Sequence, residues 1–182
     1  RAFSAGADLR AFLGMIEARD WQGLQAYIAR GQDLFLRMKY TPYPVVAAAH
    51  GLALGGGCEF MLNANAIVAH AELNAGLPET KVGIIPGWGG GTQLLQRAAQ
   101  SHAGSDAPLA DAAAVFDLIA RAAVSTSALD ARDLGMLVPS DRIVMNREHL
   151  LFEARAHAAE LAKTYQAPER ARITVTGKPG YL

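Results

Sequence analysis

Two glutamates stand where a chain seldom places a charge. Glu59 follows three glycines, Gly55 to Gly57, in "HGLALGGGCEF" (residues 50–60), and Glu79 follows Pro78 in "GLPETKVG". A lone glutamate is most often a solvated or capping acid. A pair can do more. Two carboxylates sharing one site differ in protonation, because like charges raise one pKa, so one can give a proton while the other takes one. The glycines bear on the same chemistry. A glycine turn that opens a helix presents free backbone N–H groups with the positive end of the helix dipole behind them. Such donors suit an oxyanion, and a missing Cβ lets a carbonyl approach closely. "FSAGADL" (residues 3–9) has the same character: small residues, a glycine, then a helix start. One such turn is readily a plain strand-to-helix passage. Two donor turns beside two acids favour the chemical reading. A phosphate loop is a poorer fit, because neither "ALGGGCE" nor "PGWGGGTQ" ends in the required Gly-Lys-Ser/Thr.

The elements that must hold these residues follow from periodicity. "DLRAFLGMIEA" reads as a helix with Asp8 at its cap or in its first turn. From Leu24 to Met38 the apolar positions 24, 27, 28, 34, 35 and 38 form a helical stripe, with Gly31 its weak point. Pro42 and Pro44 end that helix. "VVAAA" (45–49) reads as a buried strand, "CEFMLNA" as a helix and "AIVAHAEL" as one or two short strands. "KVGIIPGWGGGTQLLQRAA" gives a strand or loop, a glycine turn, then a helix from about Thr92. "SHAGSD" (101–106) is a polar loop. Three more helices are expected: "PLADAAAVFDLIARAA", "SALDARDLGMLV" capped by Ser127, and "MNREHLLFEARAHAAELAKTY", apolar at 150, 151, 154, 158 and 161. The order strand, glycine turn, helix, strand indicates an α/β layered domain.

Composition narrows the partners. The chain has 182 residues, which suits one domain, and a formal net charge of +0 from 17 basic and 17 acidic residues. Nucleic-acid partners call for a basic excess, and none is present. The run "VVAAAHGLALGGGC" is short, glycine-rich and broken by His50, so no membrane span is expected. Cys58 is the only cysteine. No internal disulfide can form, and a reducing, cytoplasmic setting is expected. His50, His70, His102, His149 and His157 show no ligand spacing, so no metal is expected. The N-terminus carries neither a signal peptide nor an initiator methionine and reads as cut from something longer.

"FSAGADL", "HGLALGGGCEF", "GLPETKVGIIPGWGGGTQLL" and "SALDARDLGMLV" follow one another as in the crotonase superfamily, the enoyl-CoA hydratases and isomerases, which the chain resembles. The resemblance is strong over residues 1 to about 98 and weaker over 125–163. It implies a crotonase-like ββα spiral with C-terminal helices. A partial domain of this kind would span residues 1–165, with 166–182 a tail or linker and the family's N-terminal strands missing from this chain. It also implies roles. Ala7 and Gly56 would supply the oxyanion N–H groups. Glu59 and Glu79, twenty positions apart as in typical hydratases, would be the catalytic carboxylates. Gly55, Pro78 and Gly87 would position substrate and water. The substrate would be an acyl-CoA, with water adding to a 2-enoyl thioester. The alternatives are an isomerase, with Glu79 dominant, and a non-catalytic assembly module. The C-terminal stretch is similar to that of fused 3-hydroxyacyl-CoA dehydrogenases of fatty-acid β-oxidation. NAD would then belong to an upstream region, and no cofactor to this one. Family habit implies a homo-oligomer, trimeric in form. Without upstream strands, the Ala7 turn is expected to be loosely held and the isolated chain to be a weak enzyme.

Overall fold

A computed structural model of the chain describes residues 2–101 and 108–170. Most of the expected polar loop, and of the expected tail beyond residue 170, lies outside the described residues. The helices are α1 (Leu9–Glu17), α2 (Trp21–Lys39), α3 (Gly56–Asn63), α4 (Gly90–Ser101), α5 (Pro108–Ala120), α6 (Ala128–Asp133) and α7 (Leu150–Leu161). The strands are β1 (Val46–Ala49), β2 (Leu52–Leu54), β3 (Ala66–His70), β4 (Asn74–Gly76) and β5 (Arg142–Val144). The expected α/β class is observed.

The strands pair in a winding pattern. β1 runs parallel to β3, from Val46 opposite Ala66 to Ala49 opposite Ala69. β2 runs parallel to β4, from Leu52 opposite Asn74 to Leu54 opposite Gly76. Consecutive strands therefore enter different sheets, and the next two strands repeat the step. β5 adds to the free edge of β3. Parallel neighbours need a crossover element, and α3 supplies it. β3 is buried on both faces over Ala66–Ala69, as a covered parallel strand must be. Met61, Leu62, Ile67, Leu73, Leu77 and Met136 fill the core between these layers.

The helix starts follow local chemistry. The Asp8 carboxylate accepts the Arg10 and Ala11 N–H groups and caps α1, and the Ser127 hydroxyl accepts the Asp130 N–H and caps α6. Other boundaries differ from the sequence reading. α4 begins at Gly90 rather than Thr92, because its first N–H is used by a buried carboxylate. Of the strand or loop expected from Lys81, the loop is found, entered through a 3₁₀ turn at Glu79–Val82. α7 buries Leu150, Ala154 and His157, an i, i+4, i+7 line, so Leu151 points outward and is 74% exposed.

The stretch that leads into the Ala7 turn is paired within the fold. Phe3 N–H donates to His50 O, Ser4 N–H to Leu52 O and Leu54 N–H to Ser4 O, each at 3.0 Å. Residue 4 is a parallel bridge partner of Ala53. β2, to which the sequence reading assigned no element, supplies this ladder.

Asp141 joins the C-terminal region to the core. It is 5% exposed. Its carboxylate accepts Ile67 N–H at 2.8 Å and Val138 N–H at 2.9 Å, and pairs with Arg97 at 3.3 Å. Removing it leaves buried donors without an acceptor. Asp141→Ala is expected to lower the unfolding free energy by about 3–5 kcal/mol, the scale for breaking a buried ion pair. Urea denaturation measures this, and a loss under about 1 kcal/mol would contradict the role.

Candidate active site

The site begins with two turns lying against each other. At Gly55 the backbone has φ +54°, where a side chain would be strained. Its N–H donates to Gly76 O at 2.9 Å, which ties the turn to β4. α3 starts at the next residue, so the Gly56 N–H points out of the helix start. Gly6 has φ +96°, and a Cβ there would lie 2.9 Å from Leu54 O and 3.2 Å from Gly56 N. The Ala7 and Gly56 amides are thus neighbours. Neither donates to an acceptor among the described residues. Two unused N–H groups side by side form a donor pair for one oxygen.

Glu59 sits one turn into α3 and is 2% exposed. Its Oε1 accepts Trp88 N–H at 2.8 Å and Gly90 N–H at 2.9 Å. Burial raises its pKa above the ordinary carboxylate value, and these two bonds offset only part of that rise. The approach is close: a Cβ on Gly90 would lie 2.9 Å from Glu59 Cγ. The N-terminal end of α4 therefore stabilises a carboxylate carried by α3.

Glu79 opens the 3₁₀ turn after Pro78. Its Oε1 lies 3.2 Å from where a Gly55 Cβ would stand. Its Oε2 is buried and has no hydrogen-bond partner among the described residues. Burial, reinforced by the negative charge of Glu59 and partly offset by its own backbone N–H, pushes its pKa up to about 7. The two acids are thus held differently. One has its donors supplied by the protein. The other keeps an oxygen free.

Both acids and both donor turns line one cleft of about 760 Å³. This is within the usual range for a small-molecule site, about 300–1,000 Å³. Ala7, Gly55, Gly56, Glu59, Pro78, Glu79 and Gly87 all line it, so the structure brings together every residue singled out from the sequence. The Gly87 carbonyl accepts Gln32 Nε2 at 2.8 Å, which ties its loop to α2. Leu9, Phe12, Tyr27, Ile28, Val82 and Ile85 make the rest of the wall apolar. The sequence reading missed the two amides that hold Glu59. The signal was present: "PGWGGGTQ" is a third glycine turn opening a helix, and its donors face inward onto a carboxylate. It also missed Asn63, which is 2% exposed and donates from Nδ2 to Glu59 O at 2.9 Å. Among the described residues no group of three or more His, Cys, Asp or Glu could hold a metal, and no helix is long and apolar enough to cross a membrane.

The sequence matches the family described as Enoyl-CoA hydratase/isomerase over residues 1–172, and the chain belongs to that family. A relative from Bacillus subtilis (strain 168), named Probable 3-hydroxyacyl-CoA dehydrogenase, is 38% identical over 180 residues, covering 98% of this chain and 22% of that protein. A Putative fatty acid oxidation complex trifunctional enzyme from Rickettsia felis is 48% identical over 95 residues, covering 52% of this chain and 13% of its own length. The chain therefore spans a minor part of these relatives. Among solved structures, an enoyl-CoA hydratase from Bacillus anthracis superposes with TM-score 0.69 at 28% identity, over 88% of this chain and 54% of the other. A second, from Thermoplasma volcanium GSS1, gives TM-score 0.68 at 23% identity, over 91% of this chain and 57% of the other, and speaks for the fold alone. The fold is crotonase-like.

The electrostatics can be tested without turnover. Carboxyl NMR of Glu79 is expected to titrate near 7, and Glu59→Gln is expected to lower that midpoint by removing a negative neighbour. A midpoint near the ordinary 4.5, unmoved by the substitution, would contradict the shared site. The linkage has a definite sign. A raised folded pKa favours the folded state fully below about 4.5, and that contribution is lost as pH rises through about 7.

Proposed function

We propose that the cleft is the active site of a 2-enoyl-CoA hydratase. The observation that carries this reading is the convergence of two unlike carboxylates and two unused amides on one apolar cleft. The thioester oxygen would accept the Ala7 and Gly56 N–H groups. Water would add its oxygen to C3 while Glu59, as carboxylate, takes a proton from it. Electrons of the double bond would move toward the thioester oxygen, which becomes enolate-like. As they return, Glu79, as carboxylic acid, would deliver a proton to C2. The product gains one water in all. Glu59 is assigned the base because two protein amides stabilise its charge. Glu79 is assigned the acid because burial holds its proton up to about neutral pH. Removing one oxyanion donor of this kind typically costs about 3–4 kcal/mol of transition-state stabilisation.

The test is hydration of crotonyl-CoA by the intact protein. Glu59→Gln and Glu79→Gln keep shape and lose proton transfer, so each is expected to lower kcat by about 10²–10⁴ with acyl-CoA binding little changed. Unchanged turnover in either variant would remove that residue from the mechanism. If Glu59→Gln abolished hydration but spared movement of a double bond from C3 to C2, the isomerase reading would take its place.

The names of the relatives support placing this chain in a larger polypeptide of fatty-acid oxidation, with any NAD-dependent step performed outside it; a cytoplasmic setting is proposed from the single cysteine alone. Self-association, as a trimer, belongs to the same reading. Met145, Leu151 and Phe152 are 81%, 74% and 70% exposed, apolar side chains on and just before α7 that a neighbouring copy could cover. Light scattering at micromolar concentration is expected to give a multiple of the chain mass, and a strictly monomeric mass would contradict it.

A further inference from the structure

Trp88 does more than lend its amide to Glu59. Its indole stands across the cleft between two helices. A Cβ on Gly56 of α3 would lie 2.5 Å from its Cζ3, and a Cβ on Gly31 of α2 would lie 2.2 Å from its Nε1. The ring therefore spans from the donor turn to α2 and fits only because both positions lack a side chain. Aromatic rings pack against it. Phe35 meets it edge-on with centroids 5.6 Å apart, Tyr27 lies tilted at the same distance, and Phe35 in turn packs edge-on against Phe60 at 5.6 Å. Phe35 is 5% exposed, so protein fills the space beyond the indole.

We infer that the Trp88 indole is the wall that limits acyl length in this cleft, and that Gly31 exists to seat it. The inference rests on the proposed acyl-CoA reading. If the thioester oxygen sits on the Ala7 and Gly56 amides, the carbons after C3 leave that point alongside the ring that touches Gly56. They cannot run on toward Gly31 and Phe35, where the indole and its supports stand. They must turn toward the exposed part of the wall, at Leu9, Val82 and Ile85, where added carbons stay partly in water. Affinity then stops rising with chain length once the chain reaches the indole. A straight apolar channel would instead give about fourfold tighter binding per buried methylene.

The measurement is calorimetric binding of butyryl-, octanoyl- and dodecanoyl-CoA to the intact protein, to Trp88→Leu and to Trp88→Phe. These saturated thioesters do not react, so binding is read apart from catalysis. The wild type is expected to bind the three within about tenfold of one another. Trp88→Leu opens the space beside Gly31, and its preference for dodecanoyl over butyryl is expected to grow by at least about tenfold more. Trp88→Phe keeps an aromatic ring, guards against misfolding of the leucine variant, and is expected to fall between. The same ratios in all three proteins would overturn the inference and leave the acyl-CoA reading intact, as would a wild type that already gains severalfold per methylene. Failure of the wild type to bind any of the three would overturn the acyl-CoA reading and the inference with it.

Discussion

A carboxylate has been buried at Glu59, and the site is organised around making that tolerable. An ionised carboxylate removed from water is costly unless it is hydrogen-bonded. Here the two bonds come from backbone amides, of Trp88 and Gly90, at the start of α4. Those amides reach Glu59 only if α4 packs end-on against α3, and position 90 must then have no side chain. The requirement spreads outward. Asn63 holds the carbonyl of Glu59. Arg97, further along α4, pairs with Asp141 and so connects the helix to β3 and the C-terminal region.

The second acid shows what happens where the protein supplies fewer donors. Glu79 lies across the cleft with a buried oxygen unpartnered, and burial lifts its pKa toward neutrality. Two carboxylates in one cleft, one supplied with two amides and the other only with its own backbone N–H, differ in proton affinity through their surroundings rather than through their own chemistry. The proposed oxyanion pair follows the same logic in reverse. Ala7 and Gly56 keep amides that donate to no acceptor among the described residues, because each opens a chain segment whose backbone has turned away from its neighbours. The crossing of β2 between residue 4 and β4 brings the two turns together.

Much of this was legible in the sequence, and for a physical reason. Glycine triplets, paired acids and helix caps are local signals, and Asp8, Ser127, Glu59 and Glu79 each stand where local chemistry put them. What was not legible depended on distant partners. β2 and β5 are three residues each, too short to show periodicity, and exist because β4 and β3 offer them a ladder. Leu151 lies on an apolar stripe in sequence, but the sheet selects the line through Leu150, Ala154 and His157 instead. Gly31 read as a weakness in a helix. In the fold it is the seat for Trp88, fifty-seven residues away.

The central claim is that the Ala7 and Gly56 amides act together on one substrate oxygen. Their proton chemical shifts report this most directly. In a titration of isotope-labelled protein with an unreactive acyl-CoA, both amide protons are predicted to move downfield together, in step with saturation, as each gains an acceptor. If ligand binds and shifts other cleft residues while both of these amides stay where they were, the account of the site is wrong.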